Sequence, residues 1–152
     1  YTLSLHDALP IYVKEELGTG DPVAFSKEHT VLYVEDNPDN LRLMEMIIKR
    51  LDGFALVSSH NAMLGIELAK TTRPDIIILD INLPGMSGYA ALNELQALTV
   101  TRDIPVIALS ANAMPRDIEK GLEAGFLRYL TKPVNVDEVT SAIREITSDD
   151  PA

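Results

Sequence analysis

From Thr30 onward the chain alternates short apolar runs with longer stretches whose apolar residues recur every three or four positions. The runs are "TVLYVE" (30–35), "FALVSS" (54–59), "DIIILD" (75–80), "IPVIALS" (104–110) and "FLRYLTKP" (126–133). Apolar runs of this length, the first of them β-branched, predict strands, the fifth running into a loop. Between them lie "NPDNLRLMEMIIKRL" (37–51), "NAMLGIELAKTT" (61–72), "GYAALNELQAL" (88–98), "MPRDIEKGLEAG" (114–125) and "NVDEVTSAIREIT" (135–147). In the first of these, Leu41, Met44, Ile47, Ile48 and Leu51 fall at helical spacing. Met114, Ile118 and Leu122 share a face in the fourth, and Val136, Val139, Ile143 and Ile146 align in the fifth. All five stretches predict helices. Pro38 suits a first helical turn, Asn61 an N-cap and Gly125 a C-cap, and Pro74 stops the second helix. Met44, Met46 and Met63 are expected to be core residues rather than cofactor contacts. His29 and His60 are expected in or near loops, outside any metal motif.

Five strands alternating with five helices predict an α/β fold. The third and fourth strands, apolar on both faces, call for cover on both sides, which means a parallel sheet within a sandwich. In such folds ligands bind beyond the carboxyl ends of the strands. Glu35 and Asp36 follow the first strand, Asp80 ends the third, Ser110 the fourth, and Lys132 the fifth. Each alone reads as a cap, a loop acid or a solvated charge. All five on one rim point to a site.

The chemistry of that rim is specific. Two carboxylates about 4 Å apart repel by roughly 4 kcal/mol at an effective dielectric of about 20, so three acids together require a cation. The donors are hard oxygens with neither His nor Cys, which favours Mg²⁺. A carboxylate beside such an ion can attack phosphorus to form an aspartyl phosphate, with Lys132 and Ser110 placed to meet the phosphoryl oxygens.

The segments "VLYVEDN", "DIIILDINLPGMSGY", "PVIALSANA" and "YLTKPV" resemble the receiver domains of two-component response regulators, over roughly Thr30 to Thr147. The resemblance implies a flavodoxin-like (βα)5 doubly wound sandwich around a central five-stranded parallel sheet. It makes Asp80 the phosphoacceptor. Glu35 and Asp36 become the acidic pair that binds Mg²⁺, Glu35 through water, with the Asn82 backbone carbonyl completing the metal site. Ser110 takes the position of the switch hydroxyl, Tyr129 that of the switch aromatic, and the Lys132–Pro133 bond is a cis candidate. The implied partners are a histidine kinase or histidine phosphotransfer protein and a downstream protein. The downstream protein would read the outer face of the fourth helix, fifth strand and fifth helix, remodelled when Asp80 is phosphorylated. The implied activity is phosphoryl uptake from a phosphohistidine and slow self-dephosphorylation, not turnover of a substrate.

Three rival readings are weaker. A haloacid-dehalogenase-type phosphatase needs a second Asp two residues past its nucleophile, and here that position is Asn82, which cannot transfer protons. A flavodoxin-like cofactor binder needs a phosphate loop after the first strand, where "EDNPDN" places acids instead. A degenerate receiver acting only as a binding module would not need the full set of active-site groups present here.

Composition narrows the setting. The chain has 152 residues, enough for one domain with a sizeable core, and a formal net charge of −10, which disfavours nucleic acid and anionic membrane as direct partners. The absence of Cys removes disulfides and thiolate zinc sites and fits a reducing, cytoplasmic compartment. The opening "YTLSLHDALPI" (1–11) can be back-translated into the end of a common short-read sequencing adapter, so it is read as an artefact that carries no function. Residues 12–28 read as a Gly/Pro linker, 29–147 as the receiver and 148–152 as a flexible tail. A receiver behind such a linker resembles the C-terminal part of a hybrid sensor histidine kinase, with a stand-alone regulator as the alternative.

Overall fold

The computed structural model describes residues 28–148. The opening segment, all of the expected linker but its last residue, and the tail beyond Ser148 lie outside the described residues. The elements run β1 (His29–Val34), α1 (Pro38–Lys49), β2 (Phe54–Ser59), α2 (Ala62–Thr72), β3 (Ile76–Asp80), α3 (Gly88–Ala97), β4 (Val106–Ser110), α4 (Pro115–Ala124), β5 (Arg128–Thr131) and α5 (Val136–Thr147). The strands form one parallel sheet in the order β2-β1-β3-β4-β5.

Alternation along β1 shows why helices cover both faces. Val31 and Tyr33 pack into one core with Met44, Ile47 and Ile48 of α1 and Val139 and Ile143 of α5. Leu32 and Val34 face the opposite way, into a core with Ile66 and Ala69 of α2 and Ala91, Leu92 and Leu95 of α3. With a side-chain period of two, a strand buried on both faces must be apolar at every step, and β3 and β4 are buried throughout.

Local signals fix the helix ends. The Asn37, Asn61, Ser87 and Asn135 side chains accept hydrogen bonds from backbone N–H groups at the starts of α1, α2, α3 and α5. Gly125 closes α4 with φ of 119°, a left-handed conformation that suits glycine.

Several expectations are corrected. In the fifth run the strand covers only Arg128–Thr131 and then gives way to the loop through Pro133. Met46 and Met63 are exposed, and only Met44 is core. On the shared face of Met114, Ile118 and Leu122, Ile118 is half-buried and the other two are exposed, and Gly121 is the buried residue of α4. His29 belongs to β1, where its ring lies 5.2 Å from that of Phe54.

Candidate functional site

The sheet order reverses between β1 and β3: the chain leaves β1 for β2 on one side and returns to β3 on the other. Such a switch point leaves a crevice above the strand ends. Val34 pairs with Leu79, so Glu35 and Asp80 emerge side by side. Both are buried, at 0% and 2% exposure, while Asp36 is exposed. Glu35, Asp36 and Asp80 each offer a carboxylate oxygen within 4.8 Å of the others. Three hard oxygen donors this close, with neither His nor Cys, fit a hard divalent cation.

Lys132 reaches across from the end of β5. Its Nζ donates to Asp80 Oδ2 at 3.0 Å and to Glu35 Oε2 and Oε1 at 3.1 and 3.2 Å. The peptide bond from Lys132 to Pro133 is cis. Asn82 N–H donates to Asp80 Oδ1 at 3.0 Å, so both oxygens of this carboxylate have donors. Asn40 Nδ2 donates to Glu35 Oε1 at 2.8 Å.

The electrostatics follow from burial and crowding. Burial pushes the Glu35 carboxyl above its ordinary pKa and neighbouring Asp80 pushes the same way, against the lowering pull of Asn40 and Lys132. For Lys132, burial disfavours the ammonium, but Asp80 and Glu35 outweigh it and raise its pKa. One ammonium facing three carboxylates leaves the crevice short of positive charge.

Ser110 is buried one strand further along, since Asp80 pairs with Leu109. Its Oγ accepts the Asn112 N–H at 3.1 Å. The Asn112 carbonyl in turn accepts the Tyr129 hydroxyl at 2.8 Å. The half-buried Tyr129 ring rests on α4 at Gly121, where a Cβ would lie 2.5 Å from Tyr129 Cδ2.

The structure thus brings Glu35, Asp36, Asp80 and Lys132 into one cluster, with Asn82 on its rim. Ser110 and Tyr129 form a second group joined through Asn112. Sequence reasoning missed Asn40, Gly88, Gly121 and the role of Asn112. Asn40 had a signal, an amide in the first turn after the acidic pair. Gly88 had none: a Cβ there would meet Ile81 Cα at 2.6 Å and Asp80 O at 2.8 Å, so only glycine lets α3 start against the Asp80 loop.

The sequence profile of the response regulator receiver domain matches residues 31–144. The chain belongs to this family. The receiver is 34% identical over 120 residues to the polar-differentiation response regulator DivK of Brucella anthropi, a match spanning 79% of this chain and 97% of DivK. It is 36% identical over 116 residues to the transcriptional regulatory protein CseB of Streptomyces coelicolor, covering 76% of this chain and 48% of that protein. Among solved structures it matches the receiver domain of a sensor histidine kinase from Pseudomonas aeruginosa, with a TM-score of 0.72 and 34% identity, over 80% of this chain and 99% of the other. That structure holds a magnesium ion coordinated in its active site cleft. The receiver is therefore a module of two-component signalling rather than a conventional enzyme. Among its described residues, no helix is long and apolar enough to cross a membrane.

Proposed function

We propose that Asp80 accepts a phosphoryl group from a phosphohistidine of a histidine kinase or histidine phosphotransfer protein. The observation that carries this reading is the setting of Asp80: a buried carboxylate held by Lys132 and the Asn82 N–H, next to two further acids. One Asp80 carboxylate oxygen attacks phosphorus. A P–O bond forms as the P–N bond breaks, and the imidazole nitrogen leaves with the electron pair. Later hydrolysis breaks the new P–O bond and restores the carboxylate.

Mg²⁺ fits the donor set. Asp36, Asp80 and the Asn82 carbonyl would hold it, with Glu35 acting through water, and it would supply positive charge for the phosphoryl oxygens. The Lys132 ammonium is already within reach of Asp80 and meets an oxygen of the incoming group. Ser110 exchanges its bond with Asn112 N–H for one to the phosphoryl group, and Tyr129 follows because both bind Asn112. The face formed by α4, β5 and α5 then changes for a downstream protein. The exposure of Met114, Leu122, Leu127 and Val136 there supports a protein partner. The net charge of −10 supports neither nucleic acid nor anionic membrane as a direct partner, and a cytoplasmic site of action fits this chemistry. The likeness to receivers of histidine kinases supports a hybrid-kinase origin.

Incubating the chain and Asp80→Asn with acetyl phosphate, with and without Mg²⁺, tests the reading by intact mass. One phosphoryl group is expected on the wild type only, and only with Mg²⁺. No addition under any condition overturns it.

A further inference from the structure

Tyr33 is wholly buried, and its hydroxyl makes no well-formed hydrogen bond. Buried phenol hydroxyls ordinarily find one, so the exception needs a reason. Packing does not supply it. The Tyr33 ring sits in the core with Val31, Met44 and Ile78, and a phenylalanine ring would fill that space equally well. Glu35 follows β1 directly, two residues past Tyr33, and its N–H still pairs with Ser59, so the two side chains leave the same face. The Glu35 carboxylate lies within reach of that hydroxyl, though no well-formed hydrogen bond joins the two.

Glu35 shows the complementary gap. Its Oε1 accepts from Asn40 at 2.8 Å and from Lys132 at 3.2 Å, whereas Oε2 accepts from Lys132 alone, at 3.1 Å. If Lys132 turns toward a phosphoryl oxygen, Glu35 Oε2 loses its donor inside the protein, which is costly for a buried carboxylate. A buried donor without a well-formed bond then lies beside a buried acceptor without a donor.

We propose that the Tyr33 hydroxyl is a positioning group for Glu35, donating to its carboxylate when the Lys132 ammonium moves to a phosphoryl oxygen on Asp80. This rests on the reading of Asp80 as phosphoacceptor. Tyr33 touches none of the reacting atoms. Its role is to keep Glu35 oriented while Lys132 is engaged elsewhere.

The test compares wild type and Tyr33→Phe in three states: free, with Mg²⁺ alone, and with Mg²⁺ plus beryllofluoride as the phosphoryl mimic. The free variant melts at or above the wild-type temperature, because the hydroxyl it lacks made no well-formed hydrogen bond. Its Mg²⁺ affinity stays within about twofold, whereas its beryllofluoride affinity in Mg²⁺ falls about tenfold, as for loss of a hydrogen bond to a charged group. In wild type carrying ¹³Cζ-labelled tyrosine, the Tyr33 resonance moves when beryllofluoride is added and not with Mg²⁺ alone. Unchanged beryllofluoride affinity, an equal loss of Mg²⁺ affinity, or an unmoved Tyr33 resonance each overturns the proposal and leaves the phosphoacceptor reading standing. A wild type that neither binds beryllofluoride nor accepts phosphoryl from acetyl phosphate overturns both.

Discussion

At the β1–β3 crevice the buried acids are held from several sides: Glu35 by Asn40 and Lys132, Asp80 by Lys132 and the Asn82 N–H. Around β5 the packing is thin. The strand pairs on one side only, α4 buries only Gly121, and Met114, Leu122 and Leu127 lie exposed. The first region must hold like charges close together, which demands a rigid frame. The second contributes few buried contacts, and low local stability is what a moving element requires. One sheet therefore carries a closely held acidic site and a loosely packed edge, linked by Lys132 and the loop after β4.

Removing the ammonium should break the fixed region most severely. Lys132→Met leaves two buried carboxylates unpaired and is expected to cost about 3–5 kcal/mol in urea unfolding without divalent cations, with Mg²⁺ recovering part of the loss. Next come two glycine substitutions that set the regions against each other. Gly88→Ala drives a Cβ into the backbone of Ile81 and Asp80, which cannot yield, and should cost about 3 kcal/mol. Gly121→Ala meets only the Tyr129 ring, which can turn aside, and should cost about 1 kcal/mol. Equal losses would dissolve the distinction between frame and edge.

A smaller effect appears in the pH dependence. The pKa of Glu35 is higher in the folded protein than in the unfolded chain, so folding favours the protonated form. Without divalent cations, Glu35 therefore costs stability as pH rises from the ordinary carboxyl range through its folded value. Glu35→Gln should flatten that stretch of the curve, read as melting temperature against pH. The smallest effect belongs to the edge: Leu122→Ser should change stability by less than about 0.5 kcal/mol while weakening capture by a downstream partner.

The strand and helix alternation was legible because β3 and β4 are buried on both faces and can be little but apolar. Asp80, Glu35, Asp36 and Lys132 were legible because a parallel sheet delivers strand ends to one rim. Helical periodicity found α4 but not the exposure of Met114 and Leu122, because a repeat reveals a shared face and not what covers it. Gly88, Gly121 and the buried hydroxyl of Tyr33 were illegible for a different reason. Their importance lies in approaches of a few ångströms between segments distant in sequence or across a strand face, and no local pattern encodes them.

The Asn112 bridge between Ser110 and Tyr129 uses only main-chain atoms, an amide hydrogen on one side and a carbonyl oxygen on the other. Its exposed side chain takes no part in either bond. Any residue except proline, which lacks the N–H, can therefore stand at position 112 and keep both bonds, so the side chain at the crevice mouth can change while the connection beneath is kept.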